Sequence, residues 1–330
     1  MTRHDRQPDT WNGQSYYDQP PLKNPHWDWK VSGYIAVAAV SGAAQALSWI
    51  GSLRDRAAFQ GARRNASAIG LIGSVMGAAL LIADLKTPQR FHNMLRILRP
   101  TSPMSFGTYI FGLFGTSSAL ASLGELPAVS RYRPLRWITR LAHGGAAISG
   151  AGVATYTAAL MSATSNPYWS SAPRALGAQF ATSAIASGAA ALALLERFSG
   201  RTRTARQLEG VAALASAAHA GATLCAKQRH QEVGLDEALS DHPGRRLDAA
   251  DLLVAGALPL AAYAVDRATG GRSPTAAVVG SAAVLAGGWL MRHGILNTGK
   301  ETARRPAAAF RVASPCNLPR TDKRRSWIRN

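Results

Sequence analysis

The residues of this 330-residue chain best suited to chemistry lie where water is scarce. Asp84 closes a long uncharged run, Tyr156 lies about two turns inside a second, His219 falls within a third, and Asp251 opens a fourth. Asn24 and His26 stand just ahead of the first such run. Ionisable groups at membrane depth are costly, and by default they mark a proton or ligand pathway. Plainer roles are open to the same residues. Asp84 could pair with Lys86 or Arg90 at an interface, and Tyr156 could pack with its hydroxyl on a neighbouring backbone carbonyl.

The elements that must position these groups are hidden by the average composition. With 37 Lys+Arg against 18 Asp+Glu, a net charge of +19 and a mean hydropathy of -0.04, the chain resembles a soluble nucleic-acid binder. The charges, however, are missing from long stretches and crowded into the gaps between them, which a soluble domain has no reason to maintain. No nucleic-acid role is expected. A bilayer core of about 30 Å needs about 20 mostly apolar residues per helix. Windows near Gly33–Leu53, Ala66–Leu85, Ser105–Gly124, Trp137–Ala163, Leu176–Leu195, Leu208–Ala226, Leu252–Val265 and Thr275–Leu296 fit, the seventh being the shortest. A soluble bundle would carry a polar stripe at period 3.6, and Gly70–Ala83 and Thr275–Gly288 contain no charge. The expected fold is therefore all-α, an integral membrane protein crossing about eight times. Its helices are rich in Ala, Gly and Ser, which allow close backbone approach in lipid.

This pattern divides the chain into a polar tail (1–30), a first helical group (31–170), a second (171–297) and a basic tail (298–330) containing Lys323, Arg324 and Arg325. The tail could lie on anionic lipid, although its composition favours a solvated segment. Eight crossings put both termini on one side. The loops on the other side are short and arginine-dense: Arg54, Arg56, Arg63 and Arg64; Arg131, Arg133 and Arg136; Arg197, Arg201, Arg203 and Arg206; Arg267 and Arg272. By the positive-inside rule that side is cytoplasmic and the termini face outward.

Several chemistries are excluded. The only cysteines, Cys225 and Cys316, are far apart, so neither an iron–sulfur cluster nor a cysteine zinc site can be built from this chain. No glycine-rich phosphate loop supports a nucleotide-driven pump. Haem ligation would need facing histidines. Yet His143 lies about 9 Å and His219 about 18 Å from the arginine-bearing end of their spans, and His219 with His293 is only a little better matched. No haem and no metal site are expected. A quinone fits the remaining groups: it needs one polar partner per oxygen, an apolar slot and a proton route to water. Tyr156 and His219 would hold the head group while Asp84 exchanges protons with the aqueous side.

Two stretches carry a resemblance. Asp84-Leu85-Lys86-Thr87-Pro88-Gln89-Arg90-Phe91 and Pro100-Thr101-Ser102-Pro103-Met104-Ser105-Phe106-Gly107 resemble the acidic-Leu-x-x-Pro-x-Arg-Phe and Pro-x-Ser-x-Met-Ser-x-Gly patterns of NrfD/PsrC proteins. These are the membrane subunits of polysulfide reductase and related molybdopterin oxidoreductases. Tyr156-Thr157-Ala158-Ala159-Leu160, with Pro167 and Trp169 beyond it, is similar to their Tyr-Thr-Gly-x-Leu segment, Ala158 replacing the glycine. Ser183–Gly188, Arg292–Gly299 and Pro306 extend the likeness, which spans Trp27 to Pro306.

The resemblance implies eight helices in two four-helix bundles without haem, exchanging electrons between membrane quinone (menaquinone or ubiquinone) and a four-cluster-type iron–sulfur protein that serves a molybdopterin subunit. It places Asp84 and Tyr156 at the quinone, with Asn24 and His26 contributing from ahead of the first helix. The bacterial cell membrane is the location it implies. Two other readings use the same residues differently: a transporter or ion-translocating subunit would use them as a conduction path, and a passive anchor would tolerate their loss.

Overall fold

A computed structural model of the chain describes residues 22–96, 98–99, 101–235, 250–270 and 273–313. Pro100, Arg272, Cys316 and the Lys323–Arg325 cluster lie outside the described residues, as does most of the polar N-terminal tail. Among the described residues the fold is all-helical, without a strand. The long helices are α1 Trp29–Arg54, α2 Gln60–Asp84, α3 Pro103–Gly124, α4 Arg133–Ser162, α5 Pro173–Phe198 and α6 Thr202–Glu232. A π-helical segment, Leu252–Ala257, then runs directly into α7, Leu258–Ala268, followed by α8 Pro274–Arg304 and the short α9 Pro306–Ala313.

Six of these helices, α1, α2, α3, α5, α6 and α8, are long and apolar enough to cross a membrane. Besides the short α9, helices α4 and α7 fall short, for different reasons. Helix α4 is 30 residues long but begins with Arg133, Arg136 and Arg140 and is diluted by Gly, Ser and Thr. Helix α7 has only 11 residues beyond its π-helical lead-in.

The spans are longer than the charge pattern suggests. Helix α8 continues to Arg304 rather than ending at Leu296, so residues expected to start a solvated tail are packed: Thr298, Thr302, Ala303 and Ala308 are buried. The reason is local. Asn166 Nδ2 donates to Gly299 O (2.6 Å), and Thr302 Oγ1 donates to Asn166 Oδ1 (3.1 Å), anchoring this last stretch to the α4–α5 connection.

Small residues set the packing. Helix α1 is central, touching α2, α4, α5 and α8. A Cβ on Gly42 would stand 2.2 Å from Gly150 O, and one on Gly188 would stand 2.7 Å from Ala44 N, so α1 meets both α4 and α5 backbone to backbone. In lipid, where helices gain little hydrophobic drive to associate, such contact supplies the van der Waals energy of assembly.

The arginine-bearing turns gather at one end. Arg63 Nε bonds Glu125 Oε1 (3.0 Å), tying the start of α2 to the end of α3, and Asn65 Nδ2 bonds Glu196 Oε1 (2.7 Å), tying it to the end of α5. Arg201 grips the fully buried Glu196 (2.7 and 2.9 Å), and Arg197 forms a forked pair with Glu209 (2.7 to 2.9 Å). Glu125 also bonds His143 Nε2 (3.0 Å). Burial alone would raise the Glu125 carboxyl, but the His143 hydrogen bond and the Arg63 charge outweigh it and hold the group below its ordinary value of 4.5. A carboxylate depressed in the folded state adds stability above its unfolded pKa and loses it as pH falls through the folded one. Glu125→Gln is therefore expected to lower the thermal midpoint at neutral pH, with the deficit shrinking as pH drops below 4.5; unfolding in detergent across a pH series measures it.

Candidate functional site

The motif-bearing loop and four helix ends build a cavity of about 300 Å³ at the opposite end from the arginine turns. Its walls are Trp27 from the segment ahead of α1, Tyr34 from the first turns of α1, Leu81 and Asp84 from the end of α2, Phe111 from α3 and Tyr156 from α4. The loop after α2 closes over it: a 3₁₀ turn at Pro88–Arg90 and a short helix, Asn93–Arg96, bring Phe91, Met94 and Leu95 into the lining. That loop is fastened to α3 by Tyr109, whose hydroxyl donates to Leu95 O (3.1 Å), and by Ser105 Oγ, which accepts from Arg99 N (3.0 Å). Most of the lining is apolar, with Asp84 and the Tyr156 hydroxyl among its few polar groups.

Two features of the Pro103–Gly107 segment seat Tyr156. The tyrosine hydroxyl donates to Pro103 O at 2.8 Å. A Cβ on Gly107 would stand 2.3 to 2.5 Å from the ring and hydroxyl of Tyr156, so only glycine leaves the space the ring occupies. Gly107→Val is accordingly expected to expel Tyr156 from the wall. The measurement is binding of a fluorescent hydrophobic probe to this cavity, which should weaken by about tenfold or more, as expected when one well-placed hydrogen bond and its packing are lost.

Asp84 is half-buried and lies 3.8 Å from Lys30 Nζ. The local pairing with Lys86 or Arg90 is not formed: both are exposed, and the cation within ion-pair distance of Asp84 comes from α1. Lys30 is shared, since its ammonium and its backbone N–H (2.8 Å) both bond Asp28, the N-cap of α1. The side-chain hydrogen bond from Lys30 holds the Asp28 carboxyl below its usual range. Lys30 is thus committed first to Asp28, leaving Asp84 only loosely compensated. The row Asp84, Lys30, Asp28 leads from the cavity towards the chain's exterior.

The other residues picked out by the sequence are placed elsewhere. His219 does not reach the cavity: it is buried against Asp251, with Nε2 3.0 Å from Oδ2. Its position on α6, in a different set of helices, separates it from Tyr156. Asn24 and His26 are also absent from the lining. With its amide oxygen turned to Arg304, Asn24 accepts from Nε and Nη2 (3.1 and 2.9 Å), while His26 is exposed. The residue from this segment that does line the cavity is Trp27, which stacks on Trp169 with centroids 5.5 Å apart. Trp169 donates to Ile295 O (2.9 Å) and lies so close to Gly299 that a Cβ there would stand 2.1 Å from its ring. The Pro167–Trp169 and Gly299 signals thus point to a clamp that fixes the cavity wall through Trp27. His293 is engaged by Ser32 (3.1 Å), by Asn297 (2.9 Å) and by stacking on Trp289.

A second buried cluster lies among α5, α6, α7 and α8. Asp251 meets His219 and Thr223 Oγ1 (3.4 Å), and Gln179 donates to the same threonine (3.1 Å). Arg292, 1% exposed, bonds Ser183 Oγ (2.9 Å) and Gly288 O (2.7 Å), and its guanidinium lies over the Phe180 ring. Immediately after Asp251 the helix adopts its π-helical segment, the kind of irregularity that recurs at functional sites.

Long, apolar, tightly packed helices with an apolar pocket at one end, walled in part by a carboxylate, define a multi-pass helical membrane protein. The family model described as polysulphide reductase, NrfD, matches residues 21–303, and the chain belongs to that family of membrane proteins, generally the quinone-interacting subunits of oxidoreductase complexes. No curated protein matches the chain.

Proposed function

We propose that the chain is the quinone-reactive membrane subunit of a respiratory oxidoreductase, passing electrons between quinol and a four-cluster-type iron–sulfur protein that in turn serves a molybdopterin subunit. The observation that carries this reading is the apolar cavity walled by Asp84 and Tyr156 at the end of the helices farthest from the arginine turns. The Tyr156 proton is directed to Pro103 O, so its oxygen offers lone pairs to the cavity and suits the O–H of a quinol. As two electrons leave for the partner protein, the two hydroxyl protons pass one after the other through Asp84 and out by the Lys30–Asp28 side. Apolar walls exclude water and align the head group. Eight crossings in two four-helix bundles, α1–α4 and α5–α8, meeting along α1 and α5, complete this reading. In it the termini and the quinone end face outward across a bacterial cell membrane.

Turnover tests the site. Tyr156→Phe in the purified complex is expected to slow quinol oxidation by several-fold to about tenfold, the scale of one hydrogen bond. Wild-type rates in that variant and in Asp84→Asn would overturn the assignment. Copurified iron–sulfur and molybdopterin subunits would support the redox role, whereas an active lone chain would count against it.

A second reading is favoured by one observation, the Asp251–His219 pair with Arg292 nearby. None of these groups lines the cavity described above, yet buried ionisable residues in a membrane span are costly to keep. Proton translocation through the α5–α8 helices gives them a role.

A further inference from the structure

At the end of the molecule away from Asp84, a cavity of about 780 Å³ opens between the α1–α2 turn and the start of α4. Six arginines line it, Arg56, Arg63, Arg64, Arg136, Arg140 and Arg201, against a single carboxylate, Glu125. Glu125 is already taken up by Arg63 and His143, and Arg201 by Glu196. Arg56, Arg64, Arg136 and Arg140 have no carboxylate partner among the described residues.

The cavity is fixed in place by its neighbours. A Cβ on Gly61 would stand 2.1 Å from Arg201 Nε, and one on Gly124 would stand 2.1 Å from Thr139 Oγ1, so both glycines let a neighbouring side chain pack close along the walls. His143 on the wall is buried, and its Nδ1 has no partner. Four uncompensated guanidinium groups facing one space repel each other, more so beside low-dielectric helices, and an anion relieves that repulsion. Arginine's planar fork suits phosphate oxygens in particular.

We propose that this cavity binds the phosphodiester head group of an anionic phospholipid. What selects a lipid over a free phosphate is the surface that continues from the rim. Trp137, Leu141 and Ile148 are 62%, 56% and 70% exposed. Their spacing puts them on one face of α4, next to Arg136 and Arg140. Phosphates held by the arginines would leave their acyl chains along that strip. Basic pockets between helices at the cytoplasmic surface are suited to such head groups.

The test uses the delipidated full chain in neutral detergent, with thermal unfolding and native mass spectrometry as readouts. Diphosphatidylglycerol is expected to bind about tenfold or more tightly than phosphatidylcholine. R136Q/R140Q should erase that preference, and R131Q/R203Q, which removes two exposed arginines outside the cavity at the same end, should keep it. Equal loss in both double variants would reduce the effect to general surface charge and overturn the site. Protection by sodium pyrophosphate equal to that by the lipid would overturn the lipid assignment in favour of a soluble anion. If R136Q/R140Q fails to fold, R56Q/R64Q on the facing wall gives the same comparison.

Discussion

Asp84→Asn is expected to lower quinol oxidation by the purified complex by about 10²- to 10⁴-fold, the usual contribution of a positioned general base. Asparagine keeps the shape and polarity of the side chain but cannot take a proton. Stability should change little, because Lys30 remains bonded to Asp28 and the Asp84–Lys30 contact, at 3.8 Å and partly exposed, is a weak one. Inhibitor binding should persist for the same reason, since the apolar walls supply most of the contact. A large fall in rate with retained binding and folding is the signature of a proton acceptor. Loss of binding in step with rate would instead make Asp84 a residue that holds the ligand, and an unchanged rate would remove it from the site.

The same site explains why some of its members can be read from sequence and others cannot. Asp84, Phe91, Pro103, Ser105, Gly107 and Tyr156 all lie in the quoted motifs. Each of them lines the cavity, fastens the loop, accepts the tyrosine hydroxyl or leaves room for its ring. The helices are legible because charge is excluded from apolar spans. Depth along a helix can also be estimated, but which helices face each other cannot. Depth alone therefore groups His219 with Tyr156, whereas its partner is Asp251 on another helix. The Trp27–Trp169 stack joins residues 142 positions apart, and no local pattern encodes that contact. Helix ends escape for a similar reason: Thr298 and Gly299 look like the start of a tail until Asn166 and Trp169 are placed against them.

Asp251→Leu is expected to be among the most destabilising single changes in the chain. It strips the partner from buried His219 and removes an acceptor from Thr223. Removing one member of a buried charge pair costs about 3–5 kcal/mol, because the remaining charge is left desolvated. Thermal unfolding in detergent should show that loss, and the double variant Asp251→Leu/His219→Leu should recover part of it, since two apolar side chains leave no orphan between them. The conservative change separates stability from proton chemistry. Asp251→Asn keeps a side-chain oxygen for His219 and Thr223 while removing the charge and the exchangeable carboxyl. If these groups carry protons, Asp251→Asn in liposomes should fold, oxidise quinol and yet fail to acidify or alkalinise the lumen. If the cluster only holds α5, α6, α7 and α8 together, that variant should match wild type in proton movement, and the buried Asp251–Arg292 region is then a device for fixing helix register in lipid.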